Sequence, residues 1–330
     1  MTPKIFLVTG GCGFIGTSLI ASLLRKQPDA NIRILDNFAT GTPEDLGRVC
    51  TYALSTPEQC ISKEGIVLIK GDVRDPETTL LCVHGSDYIV HLAANTGVGP
   101  SVENPREDME CNVIGTLNML EAARVSGVKM FIFASSGAPA GEVELPIHEE
   151  LPPHPVSPYA ASKLAGEGYC SAYYRTFGID TVCLRFGNVY GPGSKRKSSV
   201  VAKFISQALK GESCEIFGDG TQTRDFIYID DLIQAVLLSI KNDVGGEIFQ
   251  IATGRECTVK EVARVIARSL EQQRNTMTII HGASRRGDVH RNYSDTKKSE
   301  NMLGWKADTS FEWGIDQTVR YFVEETMTYD

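Results

Sequence analysis

Tyr159 and Lys163 stand four residues apart in the sequence and could act together as a general base. A serine and a proline directly precede Tyr159, which is typical of a helix start. On a helix this spacing puts the phenol and the ammonium group on one face, and the cation then lowers the pKa of the tyrosine from about 10 toward neutrality. Tyr293 and Lys297 have the same spacing, so the predicted strands and helices around each pair are needed to tell which tyrosine could be the general base.

A glycine-rich turn lies between the first predicted strand and the first predicted helix. Residues 10–16 satisfy both glycine patterns of dinucleotide-binding turns, through Gly10, Gly11, Gly13 and Gly16. Such a turn lets a pyrophosphate approach the N-terminus of the helix. Asp36 stands 20 residues beyond Gly16, where a carboxylate can bind the adenosine ribose. The pattern predicts a dinucleotide site, and Asp36 favours NAD because a carboxylate repels the 2′-phosphate of NADP.

Six short apolar runs predict buried parallel strands, because their apolar residues are nearly continuous. They cover residues 5–8, 32–35, 66–70, 88–92, 130–134 and 181–184, and periodic stretches at 15–24, 104–126 and 158–177 predict helices between them. The alternation predicts an α/β fold with a doubly wound parallel sheet of the Rossmann type. The fifth run leads into Ser135 and Ser136, which places a hydroxyl near the cofactor and favours Tyr159 over Tyr293 as the base.

The character of the sequence changes after about residue 190. Residues 191–199 form a loop rich in Gly, Ser and basic residues, and shorter elements follow. We predict an NAD-binding Rossmann domain over residues 1–190 and a smaller mixed α/β substrate-binding lobe over residues 191–330, some segments of which return to the sheet. Residues 41–65 are polar and predict a surface insertion.

The composition excludes several classes of protein. The chain has 330 residues, 42% of them hydrophobic, and a net charge of −8, which argues against disorder and against a nucleic-acid surface. No apolar run approaches the roughly 18 residues of a membrane span, and a signal peptide is not predicted. Nine cysteines without CxxC or Cys/His spacing argue against a disulfide framework and a metal site. We expect a cytoplasmic protein with no metal, no nucleic acid and no membrane partner.

Together these residues resemble the extended short-chain dehydrogenase/reductase family, and within it the nucleotide-sugar 4-epimerases. The similarity runs over nearly the whole chain. It is carried by residues 9–16, 91–94, 112–116, 159–163, 184–192, 216–220 and 223–231.

The resemblance implies roles for individual residues. Tyr159 would take the proton of the sugar 4-hydroxyl, Ser136 would hydrogen-bond that oxygen, and Lys163 would hold the nicotinamide ribose. The implied cofactor contacts are Gly10, Gly13, Phe14, Ile15, Gly16, Asp36, Asn37, Asp72, Val73, Leu92, Ala93, Ala94, Asn112, Tyr159 and Lys163. The implied substrate contacts are Thr96, Ser136, Asn188, Val200, Phe217, Arg224, Arg285 and Asp288, with Arg286 a near-equal rival of Arg285.

Three departures from the family pattern bear on the reaction and the sugar. Gly137 and Ala138 follow Ser136, where dehydratases need additional acid and base groups, so epimerisation is favoured. Pro139 and Ala140 stand where relatives usually have Val and Tyr, which removes an aromatic wall. Gly187 could widen the site, and the basic residues 195–197 could meet a carboxylate, although a solvated loop is the expected reading.

The leading hypothesis is therefore an NAD-dependent nucleotide-sugar 4-epimerase. Its substrate would be a UDP-hexose, with UDP-glucose/galactose, an N-acetylhexosamine or a uronic acid as the sugar, and it would react by reversible hydride transfer through a 4-keto intermediate. A nucleotide-4-ketosugar reductase or dehydrogenase on the same fold is the alternative, and a non-catalytic dinucleotide sensor a third reading. The helices at 104–126 and 158–177 would pair two copies into a homodimer.

Overall fold

The computed structural model describes residues 4–283 and 290–327. Its strands are β1 (Ile5–Thr9), β2 (Asn31–Asp36), β3 (Ala53–Ser55), β4 (Ile66–Lys70), β5 (Tyr88–His91), β6 (Met130–Ser136), β7 (Asp180–Phe186), β8 (Asn188–Tyr190), β9 (Cys214–Phe217), β10 (Thr223–Arg224), β11 (Phe226–Tyr228), β12 (Ile248–Ile251), β13 (Cys257–Thr258) and β14 (Ile279–Gly282).

The α-helices follow in the same chain order. They are α1 (Phe14–Lys26), α2 (Pro43–Gly47), α3 (Pro76–Val83), α4 (Val98–Glu103), α5 (Pro105–Met109), α6 (Gly115–Ser126), α7 (Pro158–Phe177), α8 (Val200–Leu209), α9 (Ile229–Lys241), α10 (Val259–Gln272), α11 (Lys297–Leu303) and α12 (Phe311–Met327). None of the helices in the described ranges is long and apolar enough to cross a membrane.

Eight parallel strands form the central sheet, in the order β12-β7-β6-β5-β1-β2-β4-β3. The predicted doubly wound sheet is confirmed. The chain leaves β1 toward β2 on one side and later returns to place β5 on the other side. The carboxyl ends of β1 and β5 therefore border the switch point where ligands bind in open α/β sheets.

Both faces of the sheet are covered, which explains why its strands read as continuous apolar runs. Phe6 and Val8 belong to the apolar cluster that includes residues of α1 and α9, whereas Leu7 between them belongs to the cluster that includes residues of α3 and α6. Successive side chains of a strand point to opposite faces, so every apolar residue of β1 has a layer of helices to pack against.

The second half of the chain contributes to both parts of the molecule. β9 pairs with β14, and β8 pairs with β11, away from the central sheet. β12 nevertheless pairs with β7 at the edge of that sheet, as the return of some segments predicts. The division at residue 190 itself stays a prediction.

Two segments differ from their predicted form. Residues 104–126 are not one helix: α5 and α6 are separated by a π-helix at Glu110–Ile114. Residues 41–65 are more than a polar surface insertion, because they include α2, the sheet-edge strand β3 and the fully buried Cys60.

Candidate active site

The glycine turn fits tightly around its own backbone. Gly10 has a φ of 67°, and a Cβ on it would lie 2.9 Å from the amide nitrogen of Ala93. A Cβ on Gly16 would lie 2.5 Å from the carbonyl oxygen of Gly10. Gly13 then caps α1, whose first N–H groups, beginning at Phe14, have no partner within the helix and attract an anion. The turn is thus built to admit a diphosphate against bare backbone.

Asp36 lies where β2 ends, directly beside this turn. Its Oδ2 accepts a hydrogen bond from the amide of Cys12 at 2.9 Å, and its Oδ1 accepts one from the amide of Phe38 at 2.8 Å. Burial raises the pKa of Asp36, and the two backbone hydrogen bonds work against that rise. Arg33 does not face a 2′-phosphate, since its Nη1 donates to the carbonyl of Cys82 at 3.2 Å. The carboxylate fits the ribose of NAD.

Further predicted cofactor contacts lie just beyond the ends of β4 and β5. The Arg74 guanidinium holds the pKa of Asp72 down at about 2, and Asn37 donates to Asp72 at 2.9 Å. Ala93, which lies between Leu92 and Ala94, donates its amide to the hydroxyl of Thr9 at 3.1 Å. Val73 is buried against Gly115 of α6.

His91 is a packed residue, as its position at a strand end predicts. Its Nδ1 lies 2.7 Å from the hydroxyl of Thr9, and its Nε2 lies 3.1 Å from the hydroxyl of Thr116. Burial, together with the charge of Lys163, lowers the pKa of His91 to about 3. The imidazole is therefore neutral and structural.

The start of α7 positions the predicted base and its cation. Ser157 caps the helix by accepting a hydrogen bond from the amide of Ala160, and Pro158 occupies the first turn. The ammonium of Lys163 donates to the carbonyl of Ala134 at 2.8 Å and lies 6.0 Å from the centre of the Tyr159 ring. The second pair differs, because α11 begins only at Lys297 and Tyr293 precedes it.

Ser136 and Ser135 have opposite surroundings, which decides between the two hydroxyls. Burial raises the pKa of Tyr159, which is opposite to the lowering that the Tyr159–Lys163 spacing predicts, and a hydrogen bond with Ser136 works against that rise. Ser135 instead donates to Oε1 of Glu167 at 2.5 Å. Glu167 is itself held by two hydrogen bonds of 2.8 Å from Arg185. Only Ser136 is therefore brought to the tyrosine.

Lys163 is buried among several polar groups. Burial lowers its pKa to about 8, and the nearby Cys111, Asp108 and Glu167 oppose that change. Asn112, from the π-helix, donates to the carbonyl of Asn95 at 2.9 Å. π-Helical turns are frequent at functional sites, where they redirect a side chain.

Most of the predicted substrate contacts lie on different elements of the second half of the chain. Asn188 begins β8 and donates through Nδ2 to the carbonyl of Asp225 at 3.3 Å. Val200 begins α8, and Phe217 ends β9 with the amine of Lys203 5.7 Å from its ring centre. Arg224 lies on β10, and Thr96 is exposed beyond β5. Arg285 and Asp288 lie outside the described residues.

The basic loop is not simply solvated. Lys195 lies 3.8 Å from Glu325, and Arg196 pairs with Asp45 at 3.0 Å. Lys197 is half-buried, with its amine 5.5 Å from the ring centre of Phe14, and burial lowers its pKa to about 8. A cavity of about 550 Å³ separates this loop from the glycine turn and α1.

Two departures from the family pattern have structural outcomes. Pro139 and Ala140 are buried in a short 3₁₀ helix, Ala138–Ala140, that packs on α7. Gly187 does not open the site as expected, because a Cβ there would lie 3.1 Å from the carbonyl of Asp225 and 3.3 Å from Ala252. The space beside Gly187 is filled by protein.

Sequence reasoning missed two buried acids at the site. Asp108 lies beneath Asn112 and next to Lys163. Asp225 accepts four hydrogen bonds, from the amides of Thr253, Gly254 and Ser294 and the hydroxyl of Thr253, and so holds the strand that carries Arg224. The available signal for Asp108 was its spacing of four residues from Asn112.

A glycine turn at the switch point, an acid at the end of the second strand and a Ser–Tyr–Lys group on β6 and α7 define an NAD-dependent enzyme of the extended short-chain dehydrogenase/reductase class. The family model described as "NAD dependent epimerase/dehydratase family" matches residues 6–252. The chain therefore belongs to the NAD-dependent epimerase/dehydratase family, and NAD is its cofactor.

Individual relatives are similar along their whole length. A UDP-glucose 4-epimerase of Mycolicibacterium smegmatis is 33% identical, over 96% of this chain and 97% of that protein. The structure of a UDP-glucose 4-epimerase from Thermotoga maritima with UDP-glucose is 32% identical, with a TM-score of 0.86 over 98% of this chain and 100% of that one. The UDP-glucose 4-epimerase of Thermus thermophilus, solved with NAD, is 34% identical, with a TM-score of 0.84 over 97% and 99% of the two chains.

Proposed function

We propose that this enzyme is a nucleotide-sugar 4-epimerase that acts on a UDP-hexose. The observation that carries the proposal is the meeting of Ser136, Tyr159 and Lys163 at the carboxyl edge of the sheet, two strands from the glycine turn. Bound NAD supplies a hydride acceptor that can return the hydride to either face of a sugar carbon. The related epimerases, solved with UDP-glucose or with NAD, support this assignment.

The protein residues move and hold one proton. Tyr159, as phenolate, takes the proton of the sugar 4-hydroxyl, and Ser136 hydrogen-bonds the same oxygen. The Lys163 ammonium stabilises the phenolate and holds the nicotinamide ribose. After the 4-keto sugar rotates, Tyr159 gives the proton back to the C4 oxygen, so that no proton is gained or lost over the cycle.

The residues after Ser136 favour epimerisation over dehydration. Loss of water across C5 and C6 needs an acid and a base in addition to the tyrosine. Gly137 and Ala138 supply neither, and the amide of Ala138 donates to the Ser136 hydroxyl at 3.2 Å. Reversible oxidation at C4 needs only the three residues named above.

The nucleotide would lie across the second half of the chain. We assign the diphosphate to Asn188 and Arg224, because a guanidinium binds phosphate oxygens in a bidentate manner. Phe217 would stack beside the base, with Val200 and Thr96 bordering the substrate. Arg285 and Asp288 would complete the phosphate and ribose contacts, and two copies of the chain would form a homodimer.

The reaction and the sugar can be tested together by NMR. The purified protein, without added cofactor, is offered UDP-glucose, UDP-N-acetylglucosamine and UDP-glucuronate in turn. We expect one of them to reach an equilibrium mixture with its C4 epimer, because the NAD stays bound through the cycle. Turnover only with stoichiometric reduced or oxidised cofactor would instead identify a reductase or dehydrogenase, and no turnover would contradict the proposal.

Replacing the base separates catalysis from binding. Tyr159→Phe should lower kcat by at least about a hundredfold, because it removes the proton acceptor, while UDP binding measured by calorimetry stays within about twofold. Tyr293→Phe is the matched control, since Tyr293 has the same sequence spacing to a lysine but lies before α11. Full activity in Tyr159→Phe would contradict the mechanism.

A further inference from the structure

A buried acid lies next to the reacting groups without a role in the mechanism above. Asp108, on α5, is only 1% exposed. Its Oδ1 accepts a hydrogen bond from Nδ2 of Asn112 at 3.0 Å, whereas its Oδ2 has no hydrogen-bond partner within the described part of the chain. An ionised carboxylate in such a place is costly unless an opposite charge compensates it.

The groups around Asp108 identify that opposite charge. Lys163, on α7, is the cation: burial raises the pKa of Asp108, and the charge of Lys163 works against that rise. The Lys163 ammonium donates a hydrogen bond to the carbonyl of Ala134, which is neutral and does not compensate the positive charge. The other titratable groups facing Lys163 are neutral or acidic: His91 on β5, Cys111 on the π-helix, and Glu167 and Cys170 on α7. Glu167 already forms a two-bond ion pair with Arg185, which leaves Asp108 as the acid available to Lys163.

Asp108 is also linked, through the side-chain amide of Asn112, to the predicted cofactor-binding segment that follows β5. The side chain of Asn112 accepts from the amide of Asn95 at 2.8 Å and donates to its carbonyl at 2.9 Å. Asn95 follows Ala94, the last predicted cofactor contact after β5. Nδ2 of Asn112 also donates to the hydroxyl of Ser162 at 3.1 Å, which ties α7 to the same group. One carboxylate therefore orients the residue that links α5, α7 and the end of β5.

We propose that Asp108 is a positioning residue of the reaction. Its carboxylate is the buried counter-charge of the Lys163 ammonium, and it holds the side-chain amide of Asn112 against the cofactor-binding segment that follows β5. The inference rests on the proposed function, because it concerns the same tyrosine and lysine. Asp108 thereby affects the charge state of the Tyr159 base, which the Tyr159–Lys163 motif alone does not do.

The direction of the effect follows from charge. A negative charge favours the protonated forms of both neighbours, so Asp108 raises the pKa of Lys163 and the pKa of Tyr159. Removing it lowers both pKa values. The ammonium that supports the phenolate is then lost at a lower pH, and the whole window of activity moves toward acid.

The variant Asp108→Asn tests this, since it removes the charge and keeps the shape. Glu110→Gln is the matched control, because Glu110 lies on the adjoining π-helix with its side chain 41% exposed and paired with Arg106. The first readout is ¹³C NMR of the lysine ε-carbons, with the Lys163 signal assigned from Lys163→Met. We expect Lys163 to titrate about one pH unit lower in Asp108→Asn than in the wild type, and unchanged in Glu110→Gln.

The second readout is the pH profile of kcat/KM with the sugar that the wild type converts. Both limbs should move to lower pH, so that activity on the alkaline limb falls about tenfold while the value at the optimum changes less. An unshifted Lys163 titration, or an equal loss at every pH, would overturn the inference and leave Asp108 a structural residue. If Asp108→Asn fails to fold, Asp108→Ser carries the same expectation, since its hydroxyl can still accept from Asn112.

The two proposals fail in different ways. The NMR titration needs no turnover, so a shifted Lys163 in a protein that converts none of the three sugars would contradict the proposed function alone. A wild type that epimerises a sugar, with Lys163 unmoved in Asp108→Asn, would contradict only the role of Asp108.

Discussion

The role that a single residue can have at this site depends on the hydrogen bonds that its polar atoms already form. Ser135 and Ser136 are identical in type and adjacent in sequence, yet Ser135 is bound to Glu167 and Ser136 to Tyr159. Successive residues of a strand face opposite sides of the sheet, so the two hydroxyls cannot share one partner. The same reasoning excludes His91 as a catalyst, since both of its ring nitrogens lie against threonine hydroxyls.

Gly16→Ala should disrupt the glycine turn. The added Cβ would lie 2.5 Å from both the carbonyl oxygen of Gly10 and the Cα of Gly11, which are backbone atoms that cannot rotate away. We expect the free energy of unfolding to fall by about 3 kcal/mol and the amount of NAD that copurifies with the protein to drop. Chemical denaturation and the absorbance of acid-released nucleotide measure the two effects.

Gly47→Ala is the control for this substitution. Gly47 is also helical, is exposed on α2, and a Cβ there would lie 4.0 Å from Cε1 of Tyr52, which is an ordinary contact. Alanine there should raise the free energy of unfolding by about 0.5–1 kcal/mol, because glycine is the weaker helix former. Equal stability and equal NAD content in the two variants would show that the turn tolerates a side chain.

At the scale of elements, the sequence predicts the strands that have continuous apolar runs and the helix that has capping residues at its ends. The six predicted strands are placed to within two residues because burial on both faces requires unbroken apolar runs. Residues 158–177 are predicted at both ends, since Ser157 caps the start and Gly178, with a φ of 69°, ends the helix. The π-helix is missed, because a change in hydrogen-bond register has no residue signature. β3 is missed because it is three residues long and Leu54 within it is 69% exposed.

The candidate site is predictable in part for the same reasons. The glycine turn, Asp36 and the Tyr159–Lys163 pair follow from local spacing and lie where the strands end. The choice of Ser136 and the presence of Asp108 depend on contacts between β6, α5 and α7, which lie far apart in sequence. A polar residue such as Asp108 on a short helix is expected to be exposed to solvent, and only the packing of α5 on α7 shows that it is buried.

One buried ion pair joins three elements beneath the site, and its removal should be costly. Arg185 on β7 and Glu167 on α7 have side chains 4% and 2% exposed, and Ser135 of β6 binds the same carboxylate. Arg185→Met leaves Glu167 buried without a counter-charge, so the free energy of unfolding should fall by about 3–5 kcal/mol. The double variant Arg185→Met/Glu167→Leu should be more stable than the single one, because the uncompensated charge is gone. Denaturant unfolding compares the three proteins, and a double variant less stable than Arg185→Met would contradict this account.

At the scale of the whole molecule, α6 and α7 expose apolar side chains away from the sheet. On α7 Tyr169 is 38% and Phe177 50% exposed, and on α6 Val125 is 58% exposed. The exposed face of α7 also carries Gly168 and Ala172, small residues that let two helices approach closely. This face is the one that the family resemblance assigns to a homodimer, and it lies on the layer of helices that carries Tyr159.

Tyr169→Arg should therefore convert the protein from dimer to monomer. Two copies of the helix pair would bring Tyr169 into a close-packed interface, where an unpaired guanidinium is strongly unfavourable. Light scattering coupled to gel filtration should give twice the 36.1 kDa chain mass for the wild type and a single chain mass for the variant. Leu54→Arg is the control, since Leu54 is 69% exposed on the sheet-edge strand β3, far in the sheet order from β6 and α7. A monomeric wild type would contradict the dimer, and a dimer that survives Tyr169→Arg but dissociates in Leu54→Arg would move the interface to the edge of the sheet, where an unpaired strand can join a second copy.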